Sequence, residues 1–203
     1  MLYPNFKTEK QLWSQGFKFI AGVDEAGRGA WAGPIVAGAV ILNPTQKISG
    51  LKDSKLLTAQ AREKLFEIIS QKALAFGVGI VDHKIIDQKG LTYANHLAMI
   101  QALDALGAVP DYLLIDAVKL EYNNLPRQAI IDGDYKIISI AAASIMAKVS
   151  RDRIMKNLAL KFPVYGFEKH KGYGTRLHQE MIGRHGLCRF HRQSFKPIKN
   201  LLK

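Results

Sequence analysis

This 203-residue sequence contains almost no cysteine, and it has no long apolar runs, internal repeats or low-complexity segments. The single cysteine, Cys188, excludes a disulfide within the chain and favours a reducing compartment. Every apolar stretch is shorter than the roughly 18 residues that a membrane-spanning helix needs, and the first residues lack the apolar run of a signal peptide. We therefore expect a cytoplasmic protein that does not associate with membranes.

Negative charge is also scarce, since 17 Asp and Glu stand against 29 Lys and Arg and give a net charge of +12. The excess is concentrated in residues 161–203, where ten basic residues accompany two glutamates. Such a segment favours a polyanionic partner such as nucleic acid, although a solvated surface or an acidic protein would also fit. Hydrophobic residues make up 48% of the chain, which supports a real core and argues against disorder.

Strand-like and helix-like segments alternate along the chain, which predicts an α/β domain. Strands are expected in FKFIAGVD, GPIVAGAVIL, LAFGVGIVD, DYLLIDA and QAIIDGD, and helices in TAQAREKLFEIISQKA, TYANHLAMIQALDALG and SIAAASIMAKVSRDRIMKNLALKF. Only EAGRGAWAG separates the first two strands, which is too short for a crossover helix, so they should form an antiparallel hairpin in a mixed sheet. The main domain is expected over 1–160, with a small basic extension over 161–203.

The stretch GVDEAGRGAWAGP, residues 22–34, contains the pattern G-x-G-x-x-A of a dinucleotide-binding turn. That motif requires its glycines to open a helix whose N-terminal N–H groups bind the pyrophosphate. Here Pro34 and a strand-like run follow the glycines, and two acids, Asp24 and Glu25, precede them. The sequence therefore argues against dinucleotide binding and favours a carboxylate site.

Four acids stand at the ends or edges of expected strands: Asp24, Glu25, Asp116 and Asp134. Carboxylates in such positions point outside the sheet edge, and neighbouring strands would bring them together. Close carboxylates raise one another's pKa, and a hard divalent cation, Mg²⁺ or Mn²⁺, relieves the repulsion. Each acid alone could equally be an ordinary turn or loop residue. Together with the basic segment, the four acids suggest metal-dependent phosphodiester chemistry.

Five separated motifs resemble the bacterial ribonuclease HII family: GVDEAGRGAWAGPIVAGAVI, LKDSKLL, YLLIDA, GDYKIISIAAASIMAKVSRDRIM and YGFEKHKGYGT. The resemblance implies a ribonuclease H-like fold, with a mixed five-stranded sheet flanked by helices in 1–160 and a C-terminal helical extension in 161–203. It also implies a metal-dependent endoribonuclease that cuts the RNA strand of RNA–DNA hybrids. Such enzymes also incise duplex DNA on the 5′ side of single embedded ribonucleotides, leaving 3′-hydroxyl and 5′-phosphate ends.

The resemblance assigns the catalytic and metal-binding roles to Asp24, Glu25, Asp116 and Asp134, with Asp132 left as a turn residue. It implies that Asp24 bridges two ions, with Asp116 and Glu25 on one and Asp134 on the other. Two such ions can activate the attacking water and stabilise the departing 3′ oxygen. An aspartate at the fourth position favours a type 2 enzyme, because type 3 enzymes carry glutamate there.

The resemblance also implies a set of substrate contacts. Backbone groups of Gly27, Arg28 and Gly29 would test for the ribose 2′-hydroxyl, and Tyr173 would stack on the neighbouring deoxyribose. Candidate phosphate contacts are Lys55, Ser144, Lys148, His170 and Lys171. Among them, the Ser144 hydroxyl could instead bond within its own helix.

Two positions depart from the family pattern. Ala30-Trp31 replaces the usual Pro-Leu, so Trp31 either packs under the loop or offers a surface aromatic near the substrate. DSKLLT replaces a more usual double lysine, which removes one basic contact. Neither change touches the four acids.

The remaining expectations concern zinc, rival functions and partners. Histidines at 170, 178, 185 and 191 lack the spacing of a zinc site, so solvated or backbone-contacting side chains are expected. The main alternative function is a non-catalytic nucleic-acid-binding protein; a nuclease of the same fold that acts on DNA junctions is disfavoured by the GRG and HKGYGT motifs. The chain is expected to be monomeric. The segment FKPIKNLLK shows no convincing motif for docking on a replication clamp, which leaves recruitment open.

Overall fold

The computed structural model describes residues 4–46, 48–51 and 54–201. The strands are β1 (Ile20–Ala26), β2 (Ile35–Ile41), β3 (Ala75–Val81), β4 (Tyr112–Asp116) and β5 (Arg127–Ile130). The helices are α1 (Lys7–Ser14), α2 (Ala59–Lys72), α3 (His83–Lys89), α4 (Leu91–Asp104), α5 (Gly133–Lys136), α6 (Ile138–Lys161), α7 (Phe167–His170), α8 (Arg176–His185) and α9 (Lys196–Leu201). Short 3-10 turns cover Ser54–Leu56 and Pro163–Tyr165. The sequence reading placed no element at α1 or α3.

The five strands form one sheet in the order β3-β2-β1-β4-β5. β1 pairs antiparallel with β2, and β2 with β3, whereas β1–β4 and β4–β5 are parallel. The expected hairpin and the mixed five-stranded sheet are therefore confirmed. Since Val23 of β1 pairs with Ile115 of β4, the next residues of these parallel strands, Asp24 and Asp116, reach the same edge of the sheet.

Helix α6 lies unusually close to the sheet because small residues face each other. A Cβ on Gly22 would lie 2.2 Å from the carbonyl carbon of Ser139, and one on Gly38 would lie 2.4 Å from the carbonyl oxygen of Ala143. The alanine-rich first half of α6 is buried, as the sequence predicts. On the opposite face, α4 approaches β3 in the same way over Gly79. This packing fixes the side chains of α6 relative to the strand ends.

Helix α1 closes the beginning of α6. No side chain next to α6 caps its first turn, and Oε1 of Glu9 instead accepts hydrogen bonds from the Ser139 backbone N–H (3.0 Å) and hydroxyl (2.8 Å). Glu9 is 1% exposed, and burial raises the pKa of its carboxyl above the usual value. The cap therefore comes from a helix 130 residues away in the sequence.

The segment after α6 folds back over the loop between β1 and β2. Tyr165 and Phe167 pack against Met155 and Leu158 in the second half of α6. Isolated bridges then join Ala30 to Tyr173 and Ala32 to His191. Within the described residues, no helix has the length and apolar content needed to cross a membrane.

Candidate active site

Three of the four predicted acids, Asp24, Glu25 and Asp116, lie together where β1 and β4 end. Asp24 and Glu25 belong to β1, and the Glu25 backbone N–H donates to Oδ1 of Asp24 (2.7 Å). Asp116 ends β4, and its Oδ1 accepts a hydrogen bond from the Gly133 N–H (2.7 Å). Asp134 follows Gly133 and is buried in the first turn of α5, rather than at a strand end as the sequence indicated.

The first three acids share one open pocket of about 230 Å³ with the glycine loop. Its lining also includes Gly27, Arg28, Gly29, Ser54, Ser144, Lys148 and Tyr173. Asp134 is not part of this lining and connects to it through Gly133 and Asp116. The pocket therefore combines carboxylates with most of the substrate contacts expected from the sequence.

The surroundings of Asp24 in the pocket strongly affect the pKa of its carboxyl. Burial raises the pKa of its carboxyl well above the usual value, and the charges of Glu25 and Asp116 raise it further. A hydrogen bond from the Ser144 side chain and one from the Glu25 backbone lower that pKa against the rise. A positive charge among these groups would relieve the repulsion between them.

Oxygen ligands of this kind suit a hard cation such as Mg²⁺. Within the described ranges, no three His, Cys, Asp or Glu side chains stand close enough to hold a metal ion unaided. Mg²⁺ commonly keeps several waters and is bound through one or two carboxylates together with substrate phosphates. The buried Asp24 and its acidic neighbours fit that mode of binding.

Gly27 and Gly29 serve the loop in different ways. Gly27 has a φ of +94°, and a Cβ there would lie 2.0 Å from Nε of Arg151. Gly29 is exposed, and a Cβ there would meet nothing within 4 Å. Gly27 is therefore required by the protein's own packing, whereas Gly29 leaves room for a molecule outside it. Arg28 is exposed, with Nη1 3.7 Å from Oε1 of Glu25.

A second, basic groove of about 360 Å³ adjoins the pocket, and Lys148 and Tyr173 line both. Nζ of Lys148 donates to Oδ1 of Asp152 (2.6 Å) and lies 5.8 Å from the centre of the Tyr173 ring. The charged residues that line the groove are Arg62, Glu63, Lys148, Asp152, Lys156, Lys169 and Lys171. Five cations against two acids make it attractive to an anion.

Two of the expected phosphate contacts, Lys171 and His170, do not line the acidic pocket. Lys171 lines the basic groove, where its Nζ donates to the Glu168 carbonyl. His170 is buried: its Nδ1 accepts from the Gly172 N–H (3.1 Å), and its Nε2 bonds the Tyr165 carbonyl (2.8 Å). Both ring nitrogens thus hold the turn that carries Tyr173. The side chain of Lys55 lies outside the described part of the structure.

Ser54 and Arg62, which were not predicted from the sequence, hold the 3-10 turn Ser54–Leu56 beside the pocket. The Ser54 hydroxyl lies 3.0 Å from that of Ser144, and Nη1 of Arg62 donates to the carbonyls of Ser54 (2.8 Å) and Leu57 (2.6 Å). Ser144 therefore contacts Ser54 and Asp24 rather than only its own helix. Nothing in the sequence indicates the role of Arg62. The four-residue spacing of Lys148 and Asp152 is a signal that could have identified their ion pair.

Three of the four C-terminal histidines are buried, and the half-buried Trp31 packs beside them. A Cβ on Gly174 would lie 2.2 Å from Cε2 of Trp31, so the indole covers this glycine, and it lies beside the His178 ring. His170, His178 and His191 are buried, and Nε2 of His178 lies 3.1 Å from that of His191. Of the two expected alternatives, solvated or backbone-contacting side chains, the second is confirmed for these three.

Comparison with known proteins identifies one family along most of the chain. The family described as Ribonuclease HII matches residues 21–198. A ribonuclease HII from Dehalococcoides mccartyi is 50% identical over 201 residues, covering 98% of this chain and 95% of the relative. One from Bacillus anthracis is 51% identical over 197 residues, covering 97% of this chain and 76% of the relative.

Solved structures show the same fold. Ribonuclease H2 from Pyrococcus horikoshii superposes with a TM-score of 0.76 at 28% identity, covering 91% of this chain and 97% of that one. The ribonuclease HII solved in a complex with PCNA from Archaeoglobus fulgidus gives a TM-score of 0.72 at 26% identity, with the same coverage. The resemblance and the ribonuclease H-like α/β fold expected from the sequence are confirmed. The chain belongs to the ribonuclease HII family and is a nuclease of the ribonuclease H type.

Proposed function

We propose that this protein hydrolyses the RNA strand of RNA–DNA hybrids and incises duplex DNA on the 5′ side of single embedded ribonucleotides. The products would carry 3′-hydroxyl and 5′-phosphate ends. The observation that carries the proposal is the pocket in which Asp24, Glu25 and Asp116 face the open backbone at Gly29. Carboxylates for phosphodiester chemistry and a backbone that a sugar can approach occur there side by side.

Asp24, Glu25, Asp116 and Asp134 would hold two Mg²⁺ or Mn²⁺ ions when substrate is present, and these ions would activate water and stabilise the departing 3′ oxygen. The influence of Glu25 and Asp116 on the pKa of Asp24 supports Asp24 as the shared ligand. Ser144 would hold the Asp24 carboxylate in place through its hydrogen bond. Asp134, next to Gly133, would supply the ligand most distant from the open pocket.

The residues around the acids would select and position the nucleic acid. The exposed backbone of Arg28 and Gly29, with that of Gly27, would bond the ribose 2′-hydroxyl, the group that separates RNA from DNA. The Tyr173 ring would stack on the adjoining sugar. Gly29 suits this role because no neighbouring atom of the protein occupies the space above it.

The basic groove would carry the strand away from the site. Because Lys148 and Tyr173 line both cavities, a strand that leaves Tyr173 would pass the remaining groove lysines, including Lys171. Lys55 stays a proposed phosphate contact, whereas His170 is better suited to supporting the Tyr173 turn. Such contacts position a duplex without reading its sequence. We take the protein to act as a monomer in the cytoplasm.

A cleavage assay tests the proposal. The substrate is duplex DNA with one ribonucleotide and a labelled strand, beside all-DNA and RNA–DNA duplexes, with Mg²⁺, Mn²⁺ or a chelator. We expect one metal-dependent cut on the 5′ side of the ribonucleotide, cleavage of the hybrid and none of all-DNA. Binding without cleavage in either metal would favour the rival function, a non-catalytic nucleic-acid-binding protein.

Two neighbouring acids provide a matched pair for the metal assignment. Asp134→Asn should abolish cleavage, because it removes a proposed ligand from the buried start of α5. Asp132→Asn should keep activity, since Asp132 caps α5 in a left-handed conformation that asparagine also tolerates. Equal activity of the two variants would contradict the assignment of Asp134.

A further inference from the structure

Two arginines lie fully buried behind the glycine loop. Arg151 of α6 and Arg192 of the C-terminal segment are each 0% exposed. Within the described residues, neither guanidinium lies within ion-pair distance of a carboxylate, and Nη1 of Arg151 has no hydrogen-bond partner. Burial lowers the pKa of both groups, that of Arg192 to about 9, and the charge of Arg151 adds to the effect on Arg192. The charges of Asp152 and Asp87 act against this lowering without reversing it. Two like charges that are buried beyond ion-pair distance of a carboxylate oppose folding.

Arg151 holds the loop at its far end. Its Nε donates to the Pro34 carbonyl (2.9 Å) and its Nη2 to that of Ala32 (3.1 Å). Its guanidinium also fills the space that a side chain at Gly27 would occupy. The same group lies 5.3 Å from the centre of the Tyr173 ring. Arg151 therefore contacts both the loop and the tyrosine proposed to stack on the substrate.

Arg192 holds the same loop at three points. Its Nε donates to the carbonyl of Gly33 (3.0 Å), its Nη1 to that of Arg28 (3.2 Å) and its Nη2 to that of Pro34 (3.0 Å). Its backbone N–H donates to the Trp31 carbonyl (2.7 Å). Every side-chain hydrogen bond of both arginines thus ends on a backbone carbonyl of residues 28–34.

The loop and the tyrosine turn are also joined directly. The Trp31 N–H donates to the Gly172 carbonyl (2.8 Å), and Ala30 bridges to Tyr173. Residues 27–34 and 172–174, which we call the reading unit, are therefore one body with the two guanidiniums behind it. A site that tests a hydroxyl with backbone groups depends on such fixed geometry.

We propose that Arg151 and Arg192 are positioning residues that set the reading unit in the geometry that recognises a ribonucleotide, so that preference for RNA at the cleavage site depends on them. The inference rests on the proposed function, because it assumes that the reading unit contacts the 2′-hydroxyl. It also gives the C-terminal segment a part in specificity, since Arg192 reaches the loop from a position 158 to 164 residues away.

The test compares Arg192→Lys with Arg189→Lys. Lysine keeps the charge but cannot replace a planar group that reaches three carbonyls, whereas Arg189 is exposed and lies over the Phe162 and Phe190 rings. Fluorescence anisotropy gives the affinity for duplex DNA with one ribonucleotide and for all-DNA duplex, with metal chelated. For Arg192→Lys we expect the affinity for the single-ribonucleotide duplex, divided by that for all-DNA duplex, to fall about tenfold, the value of one well-placed hydrogen bond. The affinity for all-DNA duplex should stay unchanged. Arg189→Lys should keep the wild-type ratio.

Cleavage kinetics and thermal unfolding complete the experiment. Arg192→Lys should raise KM for the single-ribonucleotide substrate about as much as the ratio falls, while kcat stays within a factor of about two. An unchanged ratio, or an equal loss of affinity for both duplexes, would overturn the inference. Failure of both Arg192→Lys and Arg151→Lys to fold would also overturn it, by showing a role in the fold alone. A wild-type protein that neither cleaves nor prefers the ribonucleotide would instead refute the proposed function.

Discussion

The two sides of the β1–β2 loop bury charge in opposite ways. On one side Asp24, Glu25 and Asp116 line one pocket, where burial of Asp24 and the charges of the other two acids raise the pKa of its carboxyl. On the other side Arg151 and Arg192 bury like charges of the opposite sign, and backbone carbonyls of the loop accept their hydrogen bonds. The carboxylates call for a cation from outside, whereas the arginines are held by the protein itself.

We infer from this difference that the acids serve the chemical step, whereas the arginines serve recognition. A group of carboxylates whose like charges lie close together can bind and release a cation during a reaction. A guanidinium whose hydrogen bonds end on the backbone fixes that backbone and undergoes no exchange. Changes on the acidic side should therefore alter turnover, and changes on the basic side should alter fit and stability.

The largest expected effect comes from Asp24→Asn. The loss of this proposed shared ligand should reduce kcat on the order of 10³-fold, because metal stabilisation of the transition state contributes several kcal/mol. Binding of duplex should remain largely intact. Cleavage assays and anisotropy measure the two quantities.

The same variant tests whether the acids need a cation. Mg²⁺ should raise the melting temperature of the wild type, since an ion at 100 times its Kd stabilises by about 2.7 kcal/mol. Asp24→Asn should lose this shift, and it should melt above the wild type in chelator because one repelling charge is gone. An undiminished Mg²⁺ shift would remove Asp24 from the ligands.

The acidic side could be predicted from the sequence because its signals are local. Asp24 and Asp116 directly follow apolar strand residues, and parallel pairing of β1 with β4 places them at one edge. Asp134 was also selected from its place after an expected strand and then matched the family motif, but the structure puts it in α5 rather than at a strand end.

The basic side could not be predicted because its contacts join distant parts of the chain. Arg151 reaches carbonyls 117 and 119 residues away, and no periodic pattern indicates such a pair. Helix α1 was missed for a similar reason, since Glu9 finds its partner Ser139 130 residues along the chain. The sequence left open whether the histidines are solvated or contact the backbone, because composition does not show which polar residues a fold will bury.

Acidification should lower the free energy of unfolding through the buried His178. Burial and the neighbouring histidines lower the pKa of His178 from 6.5 to about 4. Because the folded protein favours the neutral ring, this contribution to stability is complete above pH 6.5 and is lost as the pH falls toward 4. We expect a loss of up to about 3 kcal/mol from His178 over that range, measured by denaturant unfolding against pH.

Two substitutions isolate this term. His178→Gln removes the titrating ring, so its unfolding free energy should vary less between pH 6.5 and 4 than that of the wild type, whatever its absolute value. His185→Gln, at an exposed position of α8, should keep the wild-type dependence. If the unfolding free energies of wild type and His178→Gln changed equally with pH, the buried ring would not be the cause of the loss of stability in acid.

Substitutions at Glu9 test whether hydrogen bonds alone, without a cation, can stabilise a buried carboxylate. Glu9→Ala should lower the free energy of unfolding by about 1–2 kcal/mol, because Ser139 loses both hydrogen bonds at the start of α6. Glu9→Gln keeps the accepting oxygen and should be close to wild type.

The pH dependence of Glu9 has a definite sign. Burial raises the pKa of Glu9, so its protonated form is favoured in the folded state, and its contribution is lost as the pH rises through that pKa. The advantage of Glu9→Gln should therefore grow from acid to neutral pH in denaturant unfolding. Mg²⁺ should not change the ranking, and a Mg²⁺-dependent difference between Glu9 variants would contradict the distinction between this carboxylate and the Asp24 group.

The smallest effects are expected from exposed lysines of the basic groove. Lys156→Gln or Lys169→Gln should each reduce the slope of log affinity against log salt by about 1, because one phosphate contact is lost. The weakening should be the same for all-DNA duplex and for duplex with a ribonucleotide, in contrast to Arg192→Lys. Lys89→Gln, in the last turn of α3 and outside the groove, is the control and should keep the wild-type slope. A groove variant that changed the preference for the ribonucleotide would contradict the proposed division, in which buried arginines support recognition and exposed lysines bind phosphates.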